Sequence, residues 1–214
     1  MLPFAVSIMP AKKTQPSFSA KLTKNSPPAK PKNKDVRSRE YLTASEIEKL
    51  RNATKADRYG VRNFWLITIM YRHGLRVTEA IDLRWDQVDF RYARLHVNRA
   101  KNGDDSVHFI EGDELRALRK LKRWNPESDF IFTSERQAPL SSRAVHNIIA
   151  AAGVKAGIKF PCHPHMLRHA RGFRLAAKGE DTRAIQAYLG HKNIQHTVIY
   201  TKLDPKRFKG FSGD

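Results

Sequence analysis

Val88-Asp89-Phe90-Arg91-Tyr92-Ala93-Arg94-Leu95-His96-Val97-Asn98-Arg99-Ala100-Lys101-Asn102-Gly103-Asp104-Asp105-Ser106-Val107-His108-Phe109 breaks the helical period of its surroundings. Val88 and Phe90, Leu95 and Val97, and Val107 and Phe109 alternate with polar neighbours, as residues on one face of a pleated strand do. Arg91-Tyr92 and Asn102-Gly103-Asp104-Asp105 supply turn chemistry between them. The stretch therefore predicts three antiparallel strands. Lys101 falls on the shoulder of the second hairpin, able to reach outward into a groove.

Both flanks read as helices. Upstream, Thr43 and Glu46 form a capping box ahead of Ile47, Leu50 and Ala53. Phe64, Trp65, Leu66, Ile67, Ile69 and Met70 are too uniformly apolar for a surface helix, and Gly74 is a natural left-handed stop. Arg76 then opens a helix carrying Val77, Ala80, Ile81 and Leu83, where backbone N–H groups and the dipole could join it in holding an anion.

Downstream, Leu115, Leu118 and Leu121 recur within 113–123, and Val145, Ile148, Ile149 and Ala152 within 142–156, with Phe130-Ile131-Phe132 a short buried segment between. Pro164 suits a first helical position; from there Met166, Leu167, Ala170 and Phe173 can turn to the core while His165 and Arg168 share a face. Asp181 caps 182–188, Gly190 closes that helix, and His191 belongs to a tight connection before a last short helix bearing Tyr200. The fold class is mainly α with a small antiparallel β-sheet (α+β).

Forty Lys and Arg against 21 Asp and Glu leave a net charge of +19 over 214 residues, a field that attracts polyanions. That length allows one substantial domain with a small appendage. The first 39 residues hold six of the 11 prolines and nine basic side chains against Asp35, and are expected to form a disordered basic arm able to contact phosphates. A catalytic unit over 40–203 and a tail over 204–214 complete the expected organisation. The lone Cys162 excludes an intramolecular disulfide and points to a reducing compartment, and the apolar opening residues lack the lysines and length of an export signal. No apolar stretch is long enough to span a bilayer.

A phenol, two guanidiniums and two imidazoles, Tyr200, Arg76, Arg168, His165 and His191, are the groups an enzyme gathers around a phosphodiester. Taken singly, each histidine could be a satisfied core residue and Tyr200 a packing aromatic. Cys162, His163, His165 and His169 could be read as metal ligands, but they cross a Pro164 turn and lack the paired spacings of zinc sites. No phosphate-binding loop or dinucleotide fingerprint occurs, so neither ATP nor another cofactor is implied.

Taken together, Gly74-Leu75-Arg76 with Glu79, the hairpin Lys101, His165-Met166-Leu167-Arg168-His169, Leu189-Gly190-His191 and Tyr200 resemble the tyrosine recombinases of the phage integrase family. Within it the chain is most similar to the short fimbrial phase-variation recombinases, from about Leu42 to Thr201. The resemblance implies a tyrosine-recombinase catalytic domain that cleaves and rejoins double-stranded DNA through a 3′-phosphotyrosyl link, without metal or nucleotide. By that likeness Tyr200 is the nucleophile, Arg76 and Arg168 clamp the phosphate, His165 takes the phenolic proton, Lys101 protonates the leaving 5′-oxygen, and His191 donates to the phosphate. Glu79 and His169 support them. The likeness further implies a homotetramer on DNA formed from protein that is compatible with a monomer in solution, accessory DNA-bending proteins, and a cytoplasmic, nucleoid-associated location. A catalytically inactive DNA-binding relative is the alternative. Larger members carry a helical DNA-binding domain ahead of the catalytic one, where only the basic arm is expected here.

Overall fold

The computed structural model describes residues 39–100 and 103–202; the arm through residue 38, Lys101 and the tail beyond residue 202 lie outside them. Helices α1 (Ala44–Asn52), α2 (Gly60–Arg72) and α3 (Val77–Ile81) precede strands β1 (Val88–Asp89), β2 (Arg94–Val97) and β3 (Ser106–Phe109). Helices α4 (Gly112–Trp124), α5 (Ser142–Lys155), α6 (Pro164–Ala177), α7 (Thr182–Leu189) and α8 (Gln195–Thr201) follow. None of these helices is long and apolar enough to cross a membrane.

Local chemistry sets the helix ends. The Thr43 hydroxyl accepts from the Glu46 N–H, and the Glu46 carboxylate accepts from the Thr43 N–H, closing both ends of the capping box. Asp181 accepts from the Arg183 and Ala184 N–H groups at the start of α7. Gly74 and Gly190 end their helices at φ of 60° and 65°, a left-handed conformation that costs other residues energy. Leu66, Ile67, Ile69 and Met70 of α2 are buried at 0–1% exposure, and each such side chain contributes about 1.5–3 kcal/mol of transfer energy. α2 is thereby the central strut, packed against α6, α1 and α4. Leu175, Ala176, Ile185, Leu189 and Tyr200 form a second, smaller cluster joining α6, α7 and α8.

The sheet is three-stranded and antiparallel in the order β1-β2-β3, as the alternation predicts. Its third strand, however, faces the other way. Leu95 pairs with His108 and Val97 with Ser106, so His108 shares the buried face while Val107 and Phe109 stand 55% and 79% exposed. A strand turns over when its register slips by one residue, and the register here is set by the connection between β2 and β3 rather than by β3's own apolar residues. The inward imidazole is satisfied: it stacks on Tyr188 at 3.9 Å, its Nδ1 lies 3.1 Å from His73 Nδ1, and its Nε2 lies 2.9 Å from the Ser106 hydroxyl. His73 Nε2 in turn faces the buried Glu114 carboxylate at 3.3 Å.

Burial, reinforced by the neighbouring His73 and the Arg99 cation, pulls the His108 pKa down to about 3. Burial and the Arg168 and Arg76 cations do the same to His191. Between pH 6.5 and about 3 the unfolded chain binds protons at these two sites that the native fold refuses, so stability must fall on acidification within that window. At pH 5 the loss is about 2 kcal/mol for each histidine, taking an unfolded pKa near 6.5. Thermal unfolding at pH 7.5 and pH 5.0 should show a clearly lower midpoint in acid; an unchanged midpoint would contradict the native burial of these rings.

Candidate active site

The site forms where the ends of α2 and α7 meet the middle of α6. Gly74 packs so closely on α7 that a Cβ there would lie 2.5 Å from Leu189 Cδ2. This approach sets the Gly74 and Leu189 carbonyls on either side of Arg168, which donates from Nη1 to the first at 2.6 Å and from Nη2 to the second at 2.7 Å. Arg168 is 1% exposed, and burial together with Arg76 and Arg99 lowers its pKa to about 9. It remains a cation at neutral pH, with three of its five N–H donors uncommitted to those carbonyls.

Arg76 sits at the N-cap of α3, as its sequence position implies. Its backbone N–H and its Nη1 both donate to Glu79, at 2.8 and 2.6 Å, while its side chain keeps 25% of its surface open. Glu79 is buried. Desolvation opposes its charge, yet Arg99, Arg76 and Arg168 together hold its carboxyl below the ordinary range.

Tyr200 lies 2% exposed on α8, over a bare patch of α6: a Cβ on Gly172 would stand 2.5 Å from the phenol ring. Phe173 meets that ring edge-on at 5.1 Å, and His191 lies roughly parallel to it at 6.3 Å. The phenol oxygen is 3.0 Å from His169 Nδ1, which accepts its proton when the imidazole carries its own on Nε2. Burial raises the Tyr200 pKa to about 12, against the downward pull of Arg168 and Arg76. The tyrosine is thus a sheathed phenol that feels both arginines.

The two histidines of α6 separate by environment. His165 is exposed at the rim, its ring edge-on to His169 at 4.3 Å, and partial desolvation followed by the neighbouring His169 and the Arg168 cation draws its pKa to about 4. His169 is half-buried with its pKa also lowered, chiefly by desolvation and then by Arg168. Arg168, three residues from His165, points inward instead of sharing its open outlook. His191 is fixed by Thr197, whose hydroxyl lies 2.9 Å from Nδ1, leaving Nε2 as the ring's other hydrogen-bonding atom. The residues flanking Lys101 reach the same place: the Ala100 N–H donates to Glu79 at 3.2 Å, and a Cβ on Gly103 would lie 2.8 Å from the Gly190 carbonyl.

Three participants escape motif reading. Thr197 carries no sequence signal for its bond to His191. His108 was masked by the apolar look of β3. Arg99 belongs to no motif, and only strand alternation points to it: it lies two residues beyond Val97 in the inward row of Leu95 and Val97, and its side chain is 0% exposed against Glu79.

Residues 40–207 match the model of the phage integrase family. The chain is 42% identical over 181 residues to the type 1 fimbriae regulatory protein FimE of Escherichia coli strain K12, covering 80% of this chain and 90% of that protein. It is 40% identical over 188 residues to the type 1 fimbriae regulatory protein FimB of the same strain, covering 84% and 92%. The crystal structure of the XerA recombinase matches it with a TM-score of 0.70 and 26% identity, over 81% of this chain and 65% of that one.

Proposed function

This chain belongs to the phage integrase family, and from that premise we propose how its own residues carry out the reaction. It is a site-specific tyrosine recombinase, an enzyme that breaks and rejoins DNA strands. Tyr200 Oη attacks the scissile phosphorus, the bond from phosphorus to the 5′-oxygen breaks, and a 3′-phosphotyrosyl ester and a free 5′-hydroxyl result. A 5′-hydroxyl of a second strand then attacks that ester, releases Tyr200 and restores a DNA backbone with no bond lost to water.

Proton movements fall to the imidazoles and the hairpin lysine. The phenolic proton passes to the α6 pair: His169, whose Nδ1 stands 3.0 Å from the phenol, and His165, packed edge-on against it toward solvent. Both rings have lowered pKa values, so both are neutral at pH 7 and able to accept. Lys101 protonates the departing 5′-oxygen, which is a poor leaving group as an alkoxide. Arg76 and Arg168 hold the non-bridging oxygens with planar guanidiniums, and His191 donates from Nε2, so charge growing on phosphorus meets fixed donors.

Residues 40–203 form the catalytic unit, with the basic arm and the short tail on either side. Two strands cut at each of two sites require four subunits, hence a homotetramer on duplex DNA, with accessory DNA-bending proteins setting the outcome. The enzyme acts on DNA of the nucleoid, in the cytoplasm. The observation that carries this reading is a buried phenol hydrogen-bonded to His169 and pulled electrostatically by Arg168 and Arg76. Nicked duplexes from the chain's own genomic neighbourhood, incubated with the protein in excess chelator, should yield an adduct that survives denaturation and maps to Tyr200. Absence of the adduct, or its loss on chelation, would overturn the mechanism.

A further inference from the structure

Arg99 is, like Arg168, an enclosed cation of the site, with no side-chain surface exposed. Its Nη1 donates to Glu79 at 2.9 Å and to the Gly74 carbonyl at 3.5 Å; its Nη2 donates to the His73 carbonyl at 3.2 Å and to the Tyr188 carbonyl. Its stem fills the space beside Gly190, where a Cβ would lie 2.6 Å from Arg99 Cγ. With four bonds drawn from its two Nη groups, against two for Arg168, it has no Nη donor left for a phosphate.

Stability alone is a poor reason for this arginine. Its Nε is buried without a hydrogen-bond partner among the described residues, and the two preceding residues of its row, Leu95 and Val97, show that the position lies on an apolar face. Replacing a buried ion pair by apolar side chains is often neutral or stabilising. The charge balance supplies a better reason. Glu79 faces Arg76 at 2.6 Å, Arg99 at 2.9 Å and Arg168 at 4.0 Å. Three guanidiniums against one carboxylate leave a net charge of two for an incoming phosphate; without Arg99 only one would remain, and Glu79 would compete with DNA for both clamp arginines.

We propose that Arg99 is a positioning residue that anchors and neutralises Glu79, so that Arg76 and Arg168 keep their charge for the scissile phosphate. The proposal rests on the recombinase mechanism above. It also explains why one side chain ties together the turn after α2, the end of α7 and the base of the lysine-bearing hairpin: each delivers a group to the same phosphate.

The test is single-turnover cleavage of nicked duplexes by the full chain, on ordinary DNA and on DNA with a methylphosphonate at the scissile position, which lacks one negative charge. Arg99→Met should cleave ordinary DNA about 100-fold more slowly than wild type, the scale of losing one preorganised electrostatic contact. On the methylphosphonate the deficit should shrink to about threefold, because less charge has to be met. Adding Glu79→Gln to Arg99→Met restores the net charge of two and should recover about tenfold or more on ordinary DNA. Equal deficits on both substrates with no recovery in the double variant would reduce Arg99 to a packing role and overturn the proposal, as would a wild-type rate for Arg99→Met.

Should Arg99→Met alone fail to fold, Arg99→Lys and the double variant decide. Both must then cleave within about tenfold of wild type, and a 100-fold loss in either sinks the proposal. A wild-type chain that forms no adduct would instead sink the recombinase mechanism, and so is a distinct outcome.

Discussion

Tyr200→Phe should form no covalent adduct with DNA, while binding the same duplex with nearly unchanged affinity. On the proposed mechanism the substitution removes the one atom that becomes esterified, and it leaves the ring, which Phe173, His191 and the bare surface of Gly172 hold in place. Losing the hydrogen bond to His169 costs about 1 kcal/mol of stability, too little to unfold the domain. Cleavage by contrast should fall below detection, a loss of at least about 10⁴-fold, because no neighbouring group can substitute for the nucleophile. Denaturing gels for the adduct and mobility shifts for binding read the two quantities separately. Adduct formation by the phenylalanine variant would assign the nucleophile to another residue.

Arg168→Lys should lose both activity and stability, although the charge is conserved. The guanidinium reaches the Gly74 and Leu189 carbonyls from two different nitrogens, at 2.6 and 2.7 Å, and still carries donors for phosphate. An ammonium is a point donor on a flexible stem and cannot reproduce that fork. One buried carbonyl is then left unpaired, at a cost of about 1–3 kcal/mol. Cleavage should fall by about 10²–10³-fold as the phosphate loses a rigid bidentate partner. Urea unfolding and single-turnover cleavage measure the two losses. A lysine variant close to wild type in both would mean that net charge, and not fork geometry, is what this position supplies.

Much of the architecture could be read directly from local patterns. The Thr43–Glu46 box, the stops at Gly74 and Gly190, the Asp181 cap and the Pro164 start each depend on backbone chemistry within a few residues, and each stands where it was expected. The central helix follows from an apolar run with no polar stripe. The facing of β3 could not be read this way, since two apolar residues at alternate positions do not say which row turns inward. Its register depends on a loop, and its inward row on partners as distant in sequence as His73 and Tyr188.

The residue types of the site and their order along the chain were fixed by the sequence itself: a tyrosine, arginines, histidines and a hairpin lysine, each beside a recognisable stop, cap or turn. Which of them meet was decided by the tertiary structure. The approach of α2 and α7 drives Arg168 inward, brings the phenol to His169 while His165 stays at the rim, and encloses Arg99 against Glu79. Local patterns report torsional preference and burial. Hydrogen bonds and ion pairs form over about 3 Å, and helices distant in sequence come that close only when side chains pack and glycines leave room.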